Sequence, residues 1–286
     1  MDPNISLNGG QLRNAGLYRA DLSFAKLSGF NFCEADLTGA NLTGANLSNS
    51  DLTGANLANA NLLRSELTGA NLVGANLAGV GLANANLAGV GLANSNLADV
   101  DLFGANLANV DLTNANLAGA YLICANLAGA NLRGANLSGA CLSYSNLTNS
   151  TLWGADLTRA YLHRTVLAGT IVNCALFLDC TWNEAVIGGV DFRNLGQWNL
   201  GEHVNPSHVG IDTLYLTAGD SPLSEMPEPY RGFFIACGVS PELFEVKQPG
   251  ALEILRQVTG ELAGKQQSGI LGSSSAAGSL TAGDDV

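Results

Sequence analysis

The chain has 286 residues, 47% of them hydrophobic, 6% aromatic and 13% charged, with a formal net charge of −12. An ordinary globular domain is about 25% charged, so the low charge and the 35 glycines point to a repeat rather than a mixed core. The acidity argues against a general nucleic-acid or anionic-membrane binder, since both need clustered Lys and Arg.

Residues 1–10 lack the basic and apolar regions of a secretion signal. No run reaches the ~18 apolar residues of a membrane span. Cys33, Cys124, Cys141, Cys174, Cys180 and Cys237 show neither close pairing nor metal-ligand spacing, which fits free thiols in a reducing cytoplasm.

From Leu7 to Phe192 every fifth residue is large and apolar. Of these 38 positions Leu holds 32, and Phe32, Val172, Phe177, Trp182, Ile187 and Phe192 hold the rest. Two residues before each stands a second inward candidate, mostly Ala and sometimes Ser, Val or Thr, and between the two lies Asn or Asp in most units. The last position of each unit is Gly or Asn at 18 of 21 sites between residues 39 and 139, the exceptions being Arg64, Asp99 and Cys124. Gly and Asn tolerate positive φ. A turn every five residues suits neither helix nor flat sheet. It suits a coil whose wall bends at each unit, with Leu and Ala filling the axis and stacked units sharing one core.

These A(N/D)Lxx units resemble the pentapeptide-repeat family over residues 5–194. The resemblance implies an all-β solenoid, a right-handed quadrilateral β-helix with 20 residues per coil. Four units to a coil make 9.5 coils, a rod about 45 Å long at the ~4.8 Å strand spacing. Val80 then stacks on Val100, and Val90 on Val110 across the rod. Asn-rich repeats of this type are abundant in cyanobacteria, so the resemblance also implies a bacterial source.

Counting in twenties predicts the outward columns. Tyr121, Cys141 and Tyr161 share one, and Phe103, Ile123 and His163 another. Tyr144, Trp153, Arg133 and Arg164 add to this late region. Rings beside arginines suit a protein interface, though they equally cover neighbouring methyls on a smooth wall. Asp99, Asp101 and Asp111 are the only charges between Glu66 and Asn131. They read as turn residues in the Asn slot or as a small acidic recognition spot.

After Phe192 the period fails, and 195–264 is expected to form a cap with two short helices that covers the strand edges of the last coil. Ser240, Pro241 and Glu242 mark the first helix start. Leu252, Leu255, Val258 and Leu262 stripe the second helix, to pack on the rod end or to pair with another chain, making a homodimer through the cap possible. Residues 265–286 have the composition of a disordered tail. The stretch 203–239 resembles the junction that follows pentapeptide repeats in bacterial TIR-domain proteins. The roughly 45 residues beyond it are too few for the TIR domain itself.

No nucleotide, zinc-protease or serine-hydrolase motif occurs, and His203, His208 and Cys237 lack a zinc-ligand spacing. The reading is a non-enzymatic scaffold that presents a rigid surface to a protein partner, without catalytic, metal or cofactor site. The alternative implied by the family is a DNA mimic that inhibits or protects DNA gyrase. Against it, residues 1–195 carry 13 acidic and 8 basic side chains, a net of −5 on a long rod.

Overall fold

In the computed structural model, which describes residues 10–198, 202–205, 207–209, 213 and 225–245, a regular unit has a partner for every backbone N–H. Unit 36–40 illustrates it. The N–H of Asp36 donates to Ala15 O (2.9 Å), that of Leu37 to Asn56 O (2.7 Å) and that of Gly39 to Ala58 O (2.9 Å). Ala40 N–H turns back to Leu37 O at 2.9 Å. The fifth N–H, of Thr38, donates to Asp36 Oδ1 at 3.1 Å. The Asn or Asp before each Leu is therefore a structural part, because its side chain accepts the N–H that the turn leaves over. The last residue of the unit sits in the left-handed region, at φ 57° for Asn84, 54° for Asp99 and 59° for Cys124.

Parallel bridges join residue n to n+20, from Gln11–Asn31 to Val166–Val186. The outward slots thus form four columns, one per face. The first runs Asp21, Asn41, Asn61, Gly81, Asp101, Tyr121, Cys141, Tyr161. The third, opposite it, runs Asn31, Asp51, Asn71, Gly91, Asp111, Asn131, Thr151, Ile171. The second and fourth are mostly Asn. In the fourth, Asn76, Asn96, Asn116 and Asn136 each donate Nδ2–H to the Asn below at 2.9–3.1 Å.

Every Leu from Leu37 to Leu167 in the repeating slot is buried, with the Ala or Val two residues before it. Val80 lies under Val100 and Val90 under Val110, as the count of twenty predicts. The larger side chains stretch the ladder there: Asp101 N–H reaches Val80 O at 3.1 Å and Asp111 N–H reaches Val90 O at 3.4 Å. Where Ser50, Ser65, Ser95 and Ser145 replace the inner Ala, the hydroxyl donates to the Leu carbonyl three residues back, as Ser95 does to Leu92 at 2.6 Å.

Longer strands appear late: β1 (Tyr161–His163), β2 (Leu176–Phe177), β3 (Thr181–Asn183), β4 (Val186–Ile187), β5 (Gln197–Trp198), β6 (Glu202–Asn205) and β7 (His208–Val209). They pair in parallel as β1–β3–β6, β2–β5 and β4–β7. The stacking therefore continues to Val209, past residue 194 where the period of five ends. The offset grows from Leu176–Gln197 to Val186–His208, with an irregularity after Trp182. A coil lengthened by insertions keeps its hydrogen-bonded pairing while losing its sequence period.

Helix α1 (Glu228–Ala236) carries Phe233 and Phe234, both buried. The Phe233 ring packs on Trp182 (5.2 Å between centroids) and Phe192 (5.5 Å), and Phe234 packs on Phe192 (6.0 Å). The large rings that replace Leu in the last coils thus meet a helix. The helix predicted to start at Pro241 is a 3-10 turn over Pro241–Glu245. The striped helix with Leu252, Leu255, Val258 and Leu262, and the tail, lie outside the described residues. No helix among the described residues is long and apolar enough to cross a membrane.

Candidate interaction face

On the first face the slot that local structure reserves for Asn or Asp is held by Tyr121, Cys141 and Tyr161 in three successive coils. A phenol oxygen cannot fold back to the N–H two residues on, so the tyrosines give up the turn bond that Asp36 makes. They are 55% and 53% exposed. Phe103, Leu63, Phe24 and Tyr144 are further exposed apolar side chains of this face, and Ile123 lies half-buried beside Tyr121. Six of the eleven large exposed hydrophobics among the described residues stand on this one wall.

Its upper end is braced. His163 Nε2 and Tyr144 Oη are hydrogen-bonded at 2.9 Å, with the two rings edge to face at 4.8 Å. The Arg164 guanidinium lies over the Tyr144 ring at 5.8 Å and pairs with Glu184. That pair holds the Glu184 carboxyl below its ordinary range through the Arg164 hydrogen bond. Side chains fixed this way lose little freedom on contact with a partner.

The structure divides the expected late cluster. Phe103, Tyr121, Ile123, Tyr144, Tyr161 and Arg164 share the first face, but Trp153 and Arg133 lie on the third, in coils bridged by Asn131–Thr151. There Arg133 stacks on the Trp153 ring at 4.9 Å. Sequence proximity brought them together; half a coil of wall separates them.

At the lower end Gly79, Val80, Gly81, Asp99, Asp101, Phe103, Tyr121 and Ile123 line an open recess of about 480 Å³. Asp101 and Asp99, read from sequence as turn residues or an acidic spot, thus adjoin the aromatic column, whereas Asp111 lies across the rod. The glycine at position 81 is the signal that sequence reading passed over: it removes the side chain from one slot of a column that is otherwise filled. Among the described residues no three His, Cys, Asp or Glu side chains gather as a metal site; Cys237 is buried and His208 exposed.

A continuous coil of five-residue units, bridged every twenty residues and displaying side chains on four flat walls, defines a β-solenoid repeat protein. The pentapeptide repeat family matches it in eight copies, with matched segments at 15–54, 45–82, 81–117, 101–139, 111–148 and 140–177. The chain belongs to the pentapeptide repeat family, whose coil is a right-handed β-helix. The match stops at residue 177, so the likeness of 203–239 to a TIR-domain junction stays an expectation.

Among solved structures the chain is similar to HetL, a pentapeptide repeat protein involved in heterocyst differentiation regulation from the cyanobacterium Nostoc sp. strain PCC 7120. The two are 27% identical over 66% of this chain and 90% of that one, with a TM-score of 0.30. It is also similar to Rfr23 from the cyanobacterium Cyanothece 51142, at 34% identity over 35% of this chain and 85% of that one (TM-score 0.22). Full-length QnrB1, a plasmid-mediated fluoroquinolone resistance protein, is 17% identical over 67% and 89% (TM-score 0.28). No curated protein matches the chain.

Proposed function

We propose that this protein is a non-enzymatic scaffold that presents its first face to a protein partner. One observation carries the reading: exposed Tyr121 and Tyr161 occupy slots where the fold itself favours Asn or Asp. A residue that breaks a local rule without a gain in packing marks a functional surface. Large rings held on a rigid wall are the side chains that anchor interfaces. The helix packed on Trp182 and Phe192 closes the rod end in this reading, leaving the wall as the surface on offer. Six free thiols support a reducing, cytoplasmic setting.

The test is affinity capture from source-organism lysate with three baits. These are the parent chain, Tyr121→Ala/Tyr161→Ala, and a control with Ala108→Glu on the second face. A partner lost only by the double tyrosine variant supports the reading. A partner lost only by the control overturns it. If the captured partner were DNA gyrase, a supercoiling assay would decide for the alternative.

A further inference from the structure

The recess beside the tyrosines has a defined chemistry. Its floor is Gly79, Val80 and Gly81, its acidic side Asp99 and Asp101, and its apolar walls Phe103, Tyr121 and Ile123. A Cβ built on Gly81 would meet nothing within 4 Å, so the space is open rather than filled by a neighbour. Its volume of about 480 Å³ falls within the roughly 300–1,000 Å³ of ligand clefts.

The rod contains its own comparison. The ten-residue duplication that placed Gly81 under Asp101 also placed Gly91 under Asp111 on the third face. Asp111 there is satisfied: its Oδ1 accepts from Thr113 N (3.1 Å), Thr113 Oγ1 (2.6 Å) and Asn131 Nδ2 (3.2 Å). On the first face those partners are gone, because Phe103 stands where Thr113 does and Tyr121 where Asn131 does. Asp101 accepts only the Phe103 N–H, at 3.0 Å on Oδ1. Asp99 accepts no hydrogen bond, and neither carboxylate has an ion pair, among the described residues. The same backbone therefore holds a self-satisfied carboxylate, Asp111, on one wall and Asp101, with a single acceptor bond, among the aromatic side chains that line the recess on the other; Asp99 adds charge at its edge, with Oδ1 seated over Gly119.

We infer that this recess is an arginine-binding site, receiving the guanidinium of an arginine side chain presented by a protein partner. The inference rests on the scaffold reading and names the chemistry of its partner. A guanidinium pairs with carboxylates through its planar fork and stacks on aromatic faces at once. An ammonium, as a strongly hydrated point charge, makes less use of the ring walls.

The chain has eight isoleucines, and selective labelling of their δ1 methyl groups gives a sparse spectrum. Ile123 lines the recess, and Ile171, on the opposite face, serves as an internal reference. Titration of the full chain with N-acetyl-argininamide is expected to shift Ile123 saturably and leave Ile171 in place. The neutral citrulline analogue should leave both unmoved. Gly81→Asn restores the residue that the column holds at Asn41 and Asn61, so it fills the recess without disturbing the coil, and the Ile123 response should vanish. Asp101→Asn should weaken binding roughly tenfold, by loss of a charge-assisted pair.

An unmoved Ile123, an undiminished response in Gly81→Asn, or an equal response to N-acetyl-lysinamide or the citrulline analogue would overturn the site. These outcomes are separable from the capture experiment. A partner lost with Tyr121→Ala/Tyr161→Ala while Ile123 ignores arginine would leave the scaffold reading intact and refute the arginine site alone.

Discussion

Asp51 shows what a single outward residue does. It accepts Thr53 Oγ1–H at 2.6 Å and Thr53 N–H at 3.1 Å on Oδ1, and the Cys33 thiol at 3.0 Å on Oδ2. The Thr53 hydroxyl first, then the Cys33 thiol, hold its pKa below the ordinary 3.8. Its stabilisation is therefore full above 3.8 and lost as the pH falls through the depressed folded value. Asp51→Asn keeps the acceptor oxygen but removes the titration. The fall in Tm between about pH 5 and pH 2.5 should be shallower in this variant by calorimetry. The thiols divide in the same way. Burial pushes Cys180 and Cys237 up to about 12, and burial with the nearby Asp51 carboxylate raises Cys33. With a disulfide reagent at mild alkaline pH, exposed Cys124 and Cys174 should react fast, and Cys33, Cys180 and Cys237 only on unfolding. Fast reaction of Cys180 in the native chain would contradict its place in the core.

At the scale of the coil, stability is shared between a dry axis and the Asn ladders. Asn96 both donates to Asn76 (3.0 Å) and accepts from Asn116 (2.9 Å), and its Oδ1 also takes the Ala98 N–H at 3.3 Å. Asn96→Ala should cost about 1–2 kcal/mol in denaturant unfolding. Leu107 is fully buried in mid-rod, and Leu107→Ala should cost about 2–5 kcal/mol, because neighbouring coils cannot collapse into the gap. Leu107→Asp should prevent folding, since an unpaired carboxylate would sit on the axis. A smaller effect at Leu107 than at Asn96 would mean that the axis is not the main source of stability. Both roles were legible in the sequence, because each recurs at one fixed place in the five-residue unit. Helix α1 was not. Its nine residues are too few to show a helical period, and the adjacent Phe233 and Phe234 obscure an apolar stripe.

For the whole molecule the open question of a solenoid is its ends, where strand edges invite further chains. Trp182, Phe192, Phe233 and Phe234 form one aromatic cluster at the end of the coil. Phe233→Asp should loosen α1 from that end and expose the edge of the last coil. Sedimentation is expected to show concentration-dependent association of the variant at protein levels where the parent does not change. An unchanged profile would mean that the helix does not guard the edge.

The coil is legible one unit at a time. A large apolar residue stands in all 38 units, and the small inner residue, the turn-forming last position and the Asn or Asp that caps the turn recur in most of them, so each unit predicts the next. Counting in twenties also placed Tyr121 over Phe103's coil and Tyr161 two coils above. What lies between columns and beyond the repeat depends on packing in three dimensions. Whereas the half-coil between Trp153 and the tyrosine wall already follows from the count of twenty, that packing opened the recess at Gly81 beside Asp99 and Asp101 and brought Phe233 onto Trp182. These contacts join side chains from different coils, or from segments outside the period. No local rule specifies them; they follow from which surfaces remain to be filled once the coil has formed.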